Sequence, residues 1–399
     1  MNLAFLLLSL LAADWPQFLG STRDGVYTGN DLAFSWAAAG PPVVWKKDLG
    51  EGFAGPIVAA GKVIVFHRVS GREIIEALDA ATGNNVWSFE YPTTYRDDFG
   101  FDEGPRSAPV AADGAVYTFG AEGVLSAVDL ATGKKRWSVA THQKFTVKKG
   151  WFGAAGSPLV DGGRVLMNVG GENAGIVAFD TATGNVAWKA TNDDASYSSP
   201  VVATIGGARH ALFVTRVAVE DLDPATGQVR FNMPFHSRSS ASVNAATPLV
   251  IGNQVFVSAS YGTGAALLEW NGSTFKKVWA NDDSMSNHYS TCVYRDGYLY
   301  GFHGRQEEVQ TLRAIEMKTG KIMWSVDGFG AGTVTLAGDR LLVLRENGEL
   351  VVAEATPKSF QPSARAQILK GVVRAYPAIA DGRMYVRNEH TLVCVKLGK

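Results

Sequence analysis

Two short stretches of the chain carry the same acidic signature, NDDASYSS at 192–199 and NDDSMSNHYS at 281–290. Each sets two adjacent carboxylates, Asp193/Asp194 and Asp282/Asp283, beside a run of hydroxyls. Paired carboxylates can hold a hard cation or divide acid and base work between them. Asp next to Asn and Ser is also turn chemistry, because these side chains bond back to nearby backbone N–H groups. A third charged segment, 88–107 (SFEYPTTYRDDFGFDEGPRS), crowds Arg96, Asp97, Asp98, Asp102, Glu103 and Arg106 among aromatics. Its oxygens could surround Ca²⁺, but their spacing is not that of an EF-hand loop. A solvated network of ion pairs is the simpler expectation. On the next long segment, 138–157, Trp151 and Phe152 follow Lys148 and Lys149. Aromatics beside positive charge suit a protein contact or a carbohydrate. Packing of the loop against a rim would use the same residues.

Most catalytic signatures are missing. There is no G-x-S-x-G elbow, no H-E-x-x-H, no phosphate-binding G-x-x-x-x-G-K-[ST] and no C-x-x-C. The seven histidines are dispersed, and Cys292 and Cys394 both sit in apolar, strand-like runs that suit buried thiols. With a net charge of −1 there is no global field to draw nucleic acid or anionic lipid, and no nucleic-acid partner is expected. Hydrophobic residues at 46% against 19% charged residues describe a folded chain with a large core. The apolar run Leu3–Ala13 is shorter than the roughly 20 residues a membrane span needs. It reads as the core of a signal peptide over 1–13, so a periplasmic or secreted location is expected, without a cysteine for lipid attachment.

The elements that must position these groups announce themselves by repetition. DAATGNNVW (79–87), DLATGKKRW (129–137) and DTATGNVAW (180–188) are near copies. Weaker versions are DPATGQVRF (223–231), EWNGSTFKKVW (269–279) and EMKTGKIMW (316–324). Their closing aromatics, Trp87, Trp137, Trp188, Phe231, Trp279 and Trp324, are spaced 50, 51, 43, 48 and 45 residues apart. Trp45 extends the series upstream, and an eroded copy puts Ile368 at its far end. Before each motif stand two short β-rich runs joined by a Gly turn, as in SAPVAADGAVYTF and GSPLVDGGRVLMN. One unit is therefore a four-stranded antiparallel meander, the length of a propeller blade.

Eight upstream hairpins can be counted. The last has only three strands, and VVWKKDL at the other end offers a fourth. The expected fold is all-β, an eight-bladed β-propeller over 14–399 whose last blade is completed by the N-terminal strand, leaving no unpaired seam. The aromatic series then has a structural task, filling the wedge between adjacent blades. In such a ring the DG and ATG turns share one face, and the long, varied loops share the other. Residues entering the innermost strands would ring the axial opening: Arg106, Ser107, Ser157, Ser199, Thr247, His288, Tyr289, Arg374 and Tyr376. A polar, partly basic ring could receive an anionic small molecule or simply hold water.

The pattern A-x-D-x-x-T-G-x-x-x-W, present at 77–87, 127–137 and 178–188, resembles the docking motif of the pyrroloquinoline-quinone (PQQ)-like repeat propellers, and the opening DWPQFLGSTRDGV is similar to theirs. The resemblance implies two branches. One holds PQQ- and Ca²⁺-dependent dehydrogenases of alcohols or sugars, in which an Asp from the 193/194 or 282/283 pairs would serve as base. The other holds non-catalytic propellers of BamB-like architecture. The alcohol-oxidising branch carries two adjacent cysteines and large insertions, whereas here the cysteines are 102 positions apart and the blades use the whole chain. The expectation is thus an exported, monomeric scaffold without a cofactor. It would meet envelope or secreted proteins through its long-loop face. A quinone oxidoreductase and a carbohydrate- or small-ligand-binding module are the alternatives.

Overall fold

In a computed structural model, residues 14–237 and 243–398 are described. The leader read over 1–13 lies outside them. Among the described residues the chain forms eight sheets, each a four-stranded antiparallel meander, one of them extended by a fifth strand. Blade 1 runs through Ile57–Ala59, Lys62–Val69, Arg72–Asp79 and Asn85–Pro92. The first strands of successive blades touch each other, which places them innermost around the axis. The last blade pairs Ala378–Ala380, Arg383–Arg387 and Thr391–Lys396 with Val43–Asp48 as its outer strand. Trp45 lies opposite Cys394 and Lys46 opposite Val393. Both chain ends thus share one sheet, and the ring closes.

The nine-residue motif now has an atomic explanation. Asp180 Oδ1 accepts hydrogen bonds from the Ala182 and Thr183 backbones and from the Thr183 hydroxyl, at 3.1, 2.8 and 2.8 Å. The same knot recurs at Asp79 and Asp129. Gly184 follows at φ +71°, a conformation that costs other residues strain. It has a second reason to be glycine: a Cβ there would lie 2.7 Å from the indole of Trp137, in the preceding blade. Trp137 Nε1 donates to the Thr181 carbonyl in the same turn at 2.9 Å. Trp45, Trp87, Trp188, Trp279 and Trp324 make the equivalent bond to the next blade at 2.8–3.2 Å. Each indole thus buries apolar area, on the order of 200 Å² per ring, and spends its one polar atom across the seam.

Two seams depart from the pattern. Phe231 has no N–H to donate; it meets Phe275 of the next blade edge to face at 5.6 Å, and Phe275 meets Trp270 at 5.2 Å. In the seventh blade the register equivalent of Trp is Ala364, opposite Val352 just before the bulge. This corrects the assignment to Ile368, which lies beyond the strand Pro362–Gln367. The irregular turn TPKSFQP carries no D-x-x-T-G to fix the count. Leu32, Phe34 and Trp36 from the N-terminal segment pack against that core instead, and Trp36 Nε1 reaches the Arg365 carbonyl at 3.4 Å. The same segment adds the strand Val26–Tyr27 in parallel to Gly332–Ala337, giving blade 7 its fifth strand.

Candidate functional site

The two faces of the ring are assembled differently. On one face, first hairpin turns bond to the D-x-x-T-G turn of their own blade, as in Leu130 N to the Gly114 carbonyl and Thr181 N to the Gly163 carbonyl, both at 3.0 Å. On the other face lie the loops joining blades, and they converge around the axis. There they enclose a cavity of about 200 Å³. Its walls are aromatic: Phe18, Phe53, Phe101, Phe152, Tyr197, Tyr261, Tyr289 and Tyr376. Its charged side chains are Arg106, Arg374 and Glu307, with His288 beside them.

Each element delivers its residue for a physical reason. Arg106 ends the long loop after blade 1, where Nη2 bonds to Asp97 (3.1 Å) and to the Asp102 carbonyl (3.0 Å). Asp102 in turn accepts from the Gly52 and Gly104 backbones at 2.9 and 2.7 Å. The Asp97 side chain is fully buried, so the loop expected to be a solvated ion-pair network is a packed one on its inner side. Its outer side does carry surface ion pairs, Arg96 with Glu103 and Lys149 with Asp98. Arg374 enters from the start of blade 8 and is held by Glu346. The two guanidiniums lie over the same ring, Phe53, at 5.8 and 5.4 Å. Phe18 comes from the N-terminal segment and meets Tyr376 edge to face at 5.1 Å. That segment is anchored by Arg23, whose guanidinium donates to the Ser157 and Pro158 carbonyls at 2.8 and 2.9 Å. Burial pushes Arg23 down to about 9.

Of the residues singled out in the sequence, Arg106, Ser157, Ser199, His288, Tyr289, Arg374 and Tyr376 line this cavity. Ser107 and Thr247 lie behind it. Ser107 Oγ donates to the Gly156 carbonyl (3.2 Å), Ser157 Oγ accepts from Ala108 N (3.0 Å), and Ser199 Oγ accepts from Ser157 N (2.9 Å). Thr247 N donates to Thr291 Oγ1 at 2.9 Å. These hydroxyls tie the entry of one blade to the next. The carboxylate pairs stand apart from the axis. Asp193 accepts from the Thr215 hydroxyl at 2.6 Å, and Asp194 borders a smaller cavity of about 70 Å³. Asp282 and Asp283 are exposed, in a turn that Asn281 fixes by accepting from Asp283 N and Ser284 N at 3.1 and 2.8 Å. Trp151 sits under Arg216 at 4.7 Å, while Phe152 turns inward to the cavity. Phe18, Phe53, Tyr261 and Glu307 were not anticipated, since each comes from an irregular segment with no repeat to mark it, and Tyr197 was passed over beside the carboxylates of its own stretch, 192–199.

Electrostatics favour hydrogen-bond acceptors here. Burial lowers His288 from its ordinary value, so the ring is neutral near pH 7, with Glu307 opposing that shift and Arg305 and Arg374 adding to it. Burial raises Tyr289 and Tyr376 far above the ordinary phenol range. Tyr376 is satisfied, accepting from Thr291 N (2.5 Å) and donating to the Thr291 carbonyl (3.2 Å). Arg106 Nη1 and the Tyr289 hydroxyl are buried with no hydrogen-bond partner, while His288 has Gln306 and the Tyr261 hydroxyl beside it. As a cage for Ca²⁺, which takes six to eight oxygens, the cavity does not fit: among the described residues it offers one carboxylate, Glu307, beside two arginines. Among the described residues no group of three or more His, Cys, Asp or Glu side chains could hold a metal ion. Cys292 and Cys394 are free, buried thiols, raised to about 12 by desolvation.

Comparison with known proteins agrees with this architecture. Outer membrane protein assembly factor BamB of Salmonella typhimurium is 24% identical over 294 residues, 70% of each chain. The dehydrogenase subunit of a quinone alcohol dehydrogenase from Komagataeibacter europaeus is 33% identical over 158 residues, 37% of this chain and 21% of that one, so the match spans about a fifth of its length. Among solved structures, BamB from Moraxella catarrhalis superposes with a TM-score of 0.65 at 16% identity, covering 89% of this chain and 99% of that one. Quinohemoprotein alcohol dehydrogenase from Comamonas testosteroni gives 0.66 at 16%, covering 97% and 81%. At that identity the superpositions speak for the fold alone. The family model described as outer membrane protein assembly factor BamB matches residues 18–95, 71–325 and 308–395, and the chain belongs to that family of PQQ-like repeat propellers.

Proposed function

We propose that this protein is an exported, non-catalytic scaffold that docks an envelope or secreted protein on its long-loop face. One observation carries the reading. Phe99 and Phe101 stand 55% and 50% exposed on the loop after blade 1. They stack on each other at 6.1 Å and close against Phe152 at 5.2 and 6.3 Å. Two solvent-facing phenylalanines backed by the inward-turned Phe152 of the next loop, beside Arg106 and Arg374, have the composition of an interface core, rich in aromatics and arginine. The exposed large apolar residues of the turn face, such as Val86 and Val229, come from separate blades. Membership in a family described by an assembly factor supports the same reading.

The test is capture from an envelope extract with the full chain as bait. It compares the double variant Phe99→Ala/Phe101→Ala with a turn-face control, Lys135→Ala. Loss of captured proteins with the first variant and retention with the second is the expected result. An unchanged set with the phenylalanine variant would sink the docking face.

A further inference from the structure

We propose that the axial cavity is a binding site for a small carboxylic acid carried on a single apolar ring. The proposal is independent of the scaffold reading and concerns the interior of the mouth rather than its rim. Among the described residues, two polar groups of the lining are buried without a partner, Arg106 Nη1 and the Tyr289 hydroxyl, and His288 beside them is met only by neutral groups, Gln306 and the Tyr261 hydroxyl. His288 is only 7% exposed. An unmet buried polar group destabilises an unliganded protein. Two in one cavity, beside a second guanidinium, therefore mark where a ligand supplies the missing partners. Their chemistry sets its class. A guanidinium can only donate, and a phenol and a neutral imidazole can donate as well. The shared complement is an acceptor with several lone pairs, which a carboxylate has.

The charges agree. Arg106 and Arg374 are each balanced from behind by one carboxylate, Asp97 and Glu346, and among the described residues Glu307 is the only carboxylate on the lining itself. Arg106 Nη2 is committed to Asp97 and the Asp102 carbonyl, which leaves Nη1 for a charge-assisted bond. The rest of the wall is apolar. Phe53, Phe101 and Phe152 flank the guanidiniums, and Phe18 and Tyr376 close another side. A volume of about 200 Å³ falls below the roughly 300 Å³ at which pockets for drug-sized ligands begin, so the body is one ring rather than several fused ones.

Calorimetry and thermal shift on the full chain with benzoate and phenylacetate, against neutral benzamide, decide the matter. At least one acid should bind saturably and raise the melting temperature, and benzamide should bind at least tenfold more weakly. Tyr289→Phe removes only a hydroxyl, and Arg106→Gln keeps an amide donor without the charge. Each should weaken the acid at least threefold while near-UV circular dichroism stays unchanged. Should either variant fail to fold, the acid-against-amide comparison on the unaltered chain still decides. No saturable binding of either acid, equal binding of benzamide, or full affinity in both folded variants would each overturn the assignment. Retained protein capture by a chain that ignores both acids would leave the scaffold reading standing and this one fallen.

Discussion

The outer seams and the axial mouth solve the same problem, joining one blade to the next, by opposite means. At the seams a single unit is copied. Asp ties the turn, Gly clears the space, and the preceding blade's Trp fills it and donates to the carbonyl after the Asp. At the mouth only the small hydroxyls that tie blade entries recur, and the large side chains are not copied. Arg106, Tyr197, His288 and Arg374 come from four different inter-blade connections, and Phe18 comes from outside the ring. The seam indoles each spend their N–H on a carbonyl of the next blade, whereas the mouth leaves Arg106 Nη1 and the Tyr289 hydroxyl unmet. Regularity serves stability, and its abandonment marks where a surface has been given another task.

The largest test of this contrast is at a seam. Trp137→Ala removes an 8% exposed indole and should cost about 3–5 kcal/mol in equilibrium denaturation. Gly184→Ala attacks the same contact from the other side, because its new Cβ meets the ring at 2.7 Å on a backbone at φ +71°. It should be of similar sign and at least about 1 kcal/mol. Phe99→Ala at the mouth, where the ring is 55% exposed, should stay within about 0.5 kcal/mol. Equal losses at Trp137 and Phe99 would erase the distinction.

The same contrast explains what could be read from the chain alone. The seams were legible because local repetition fixes them: eight hairpins, the Trp series and the ring closure through Trp45 follow from letters at constant spacing. The inner ring was half legible. Arg106, His288 and Arg374 sit just before an innermost strand, so their place along the blade located them. Phe18, Phe53 and Glu307 reach the cavity through loop geometry that no periodicity encodes. The Asp pairs offered both ligand and turn chemistry from their letters, and locally Asp193 accepts from the Thr215 hydroxyl while Asn281 accepts from the Asp283 backbone. The parallel strand Val26–Tyr27 is two residues long and leaves no pattern to find.

Acid separates the two faces next. His142, on the loop after blade 2, is lowered by burial from 6.5 to about 4, with Glu122 opposing the shift. Its neutral form is favoured by folding, so the unfolded chain takes up the proton first. Stability therefore falls as pH drops from 6.5 towards 4, by at most about 3 kcal/mol. On the turn face, Asp129 is held at about 2 by Arg136 and Thr132, against an ordinary 3.8. Its contribution persists above 3.8 and is lost only as pH falls through about 2. Hydrogen exchange should thus release the 141–158 loop in the upper window while the amides of Ala131 and Thr132 stay protected. His142→Gln should flatten the upper window. Simultaneous release of both faces would contradict the assignment.

A smaller loss than at Trp137 is expected at the one Trp-series seam that carries phenylalanine. If the seams were interchangeable, Phe231→Trp would restore the common residue and stabilise the ring. The geometry points the other way. The turn that should receive the indole is the degenerate one, in which Asn271 takes the place of Asp and accepts from Ser273 N and Thr274 N at 3.1 and 3.0 Å. Its glycine, Gly272, has no atom within 4 Å of where a Cβ would stand, so no indole rests on it. The wedge is filled by Phe275, 2% exposed, with Trp270 edge to face against His210 at 4.8 Å. His210 is fixed by Asp221 at 2.8 Å, a buried pair that resists displacement. A larger ring at 231 must push into Phe275 without gaining a carbonyl partner. The expected outcome is a loss of about 1 kcal/mol, the usual cost of overfilling a packed site. Measured stabilisation would show that this seam has slack, and that the aromatic cluster replaces the shared contact less completely than its packing indicates.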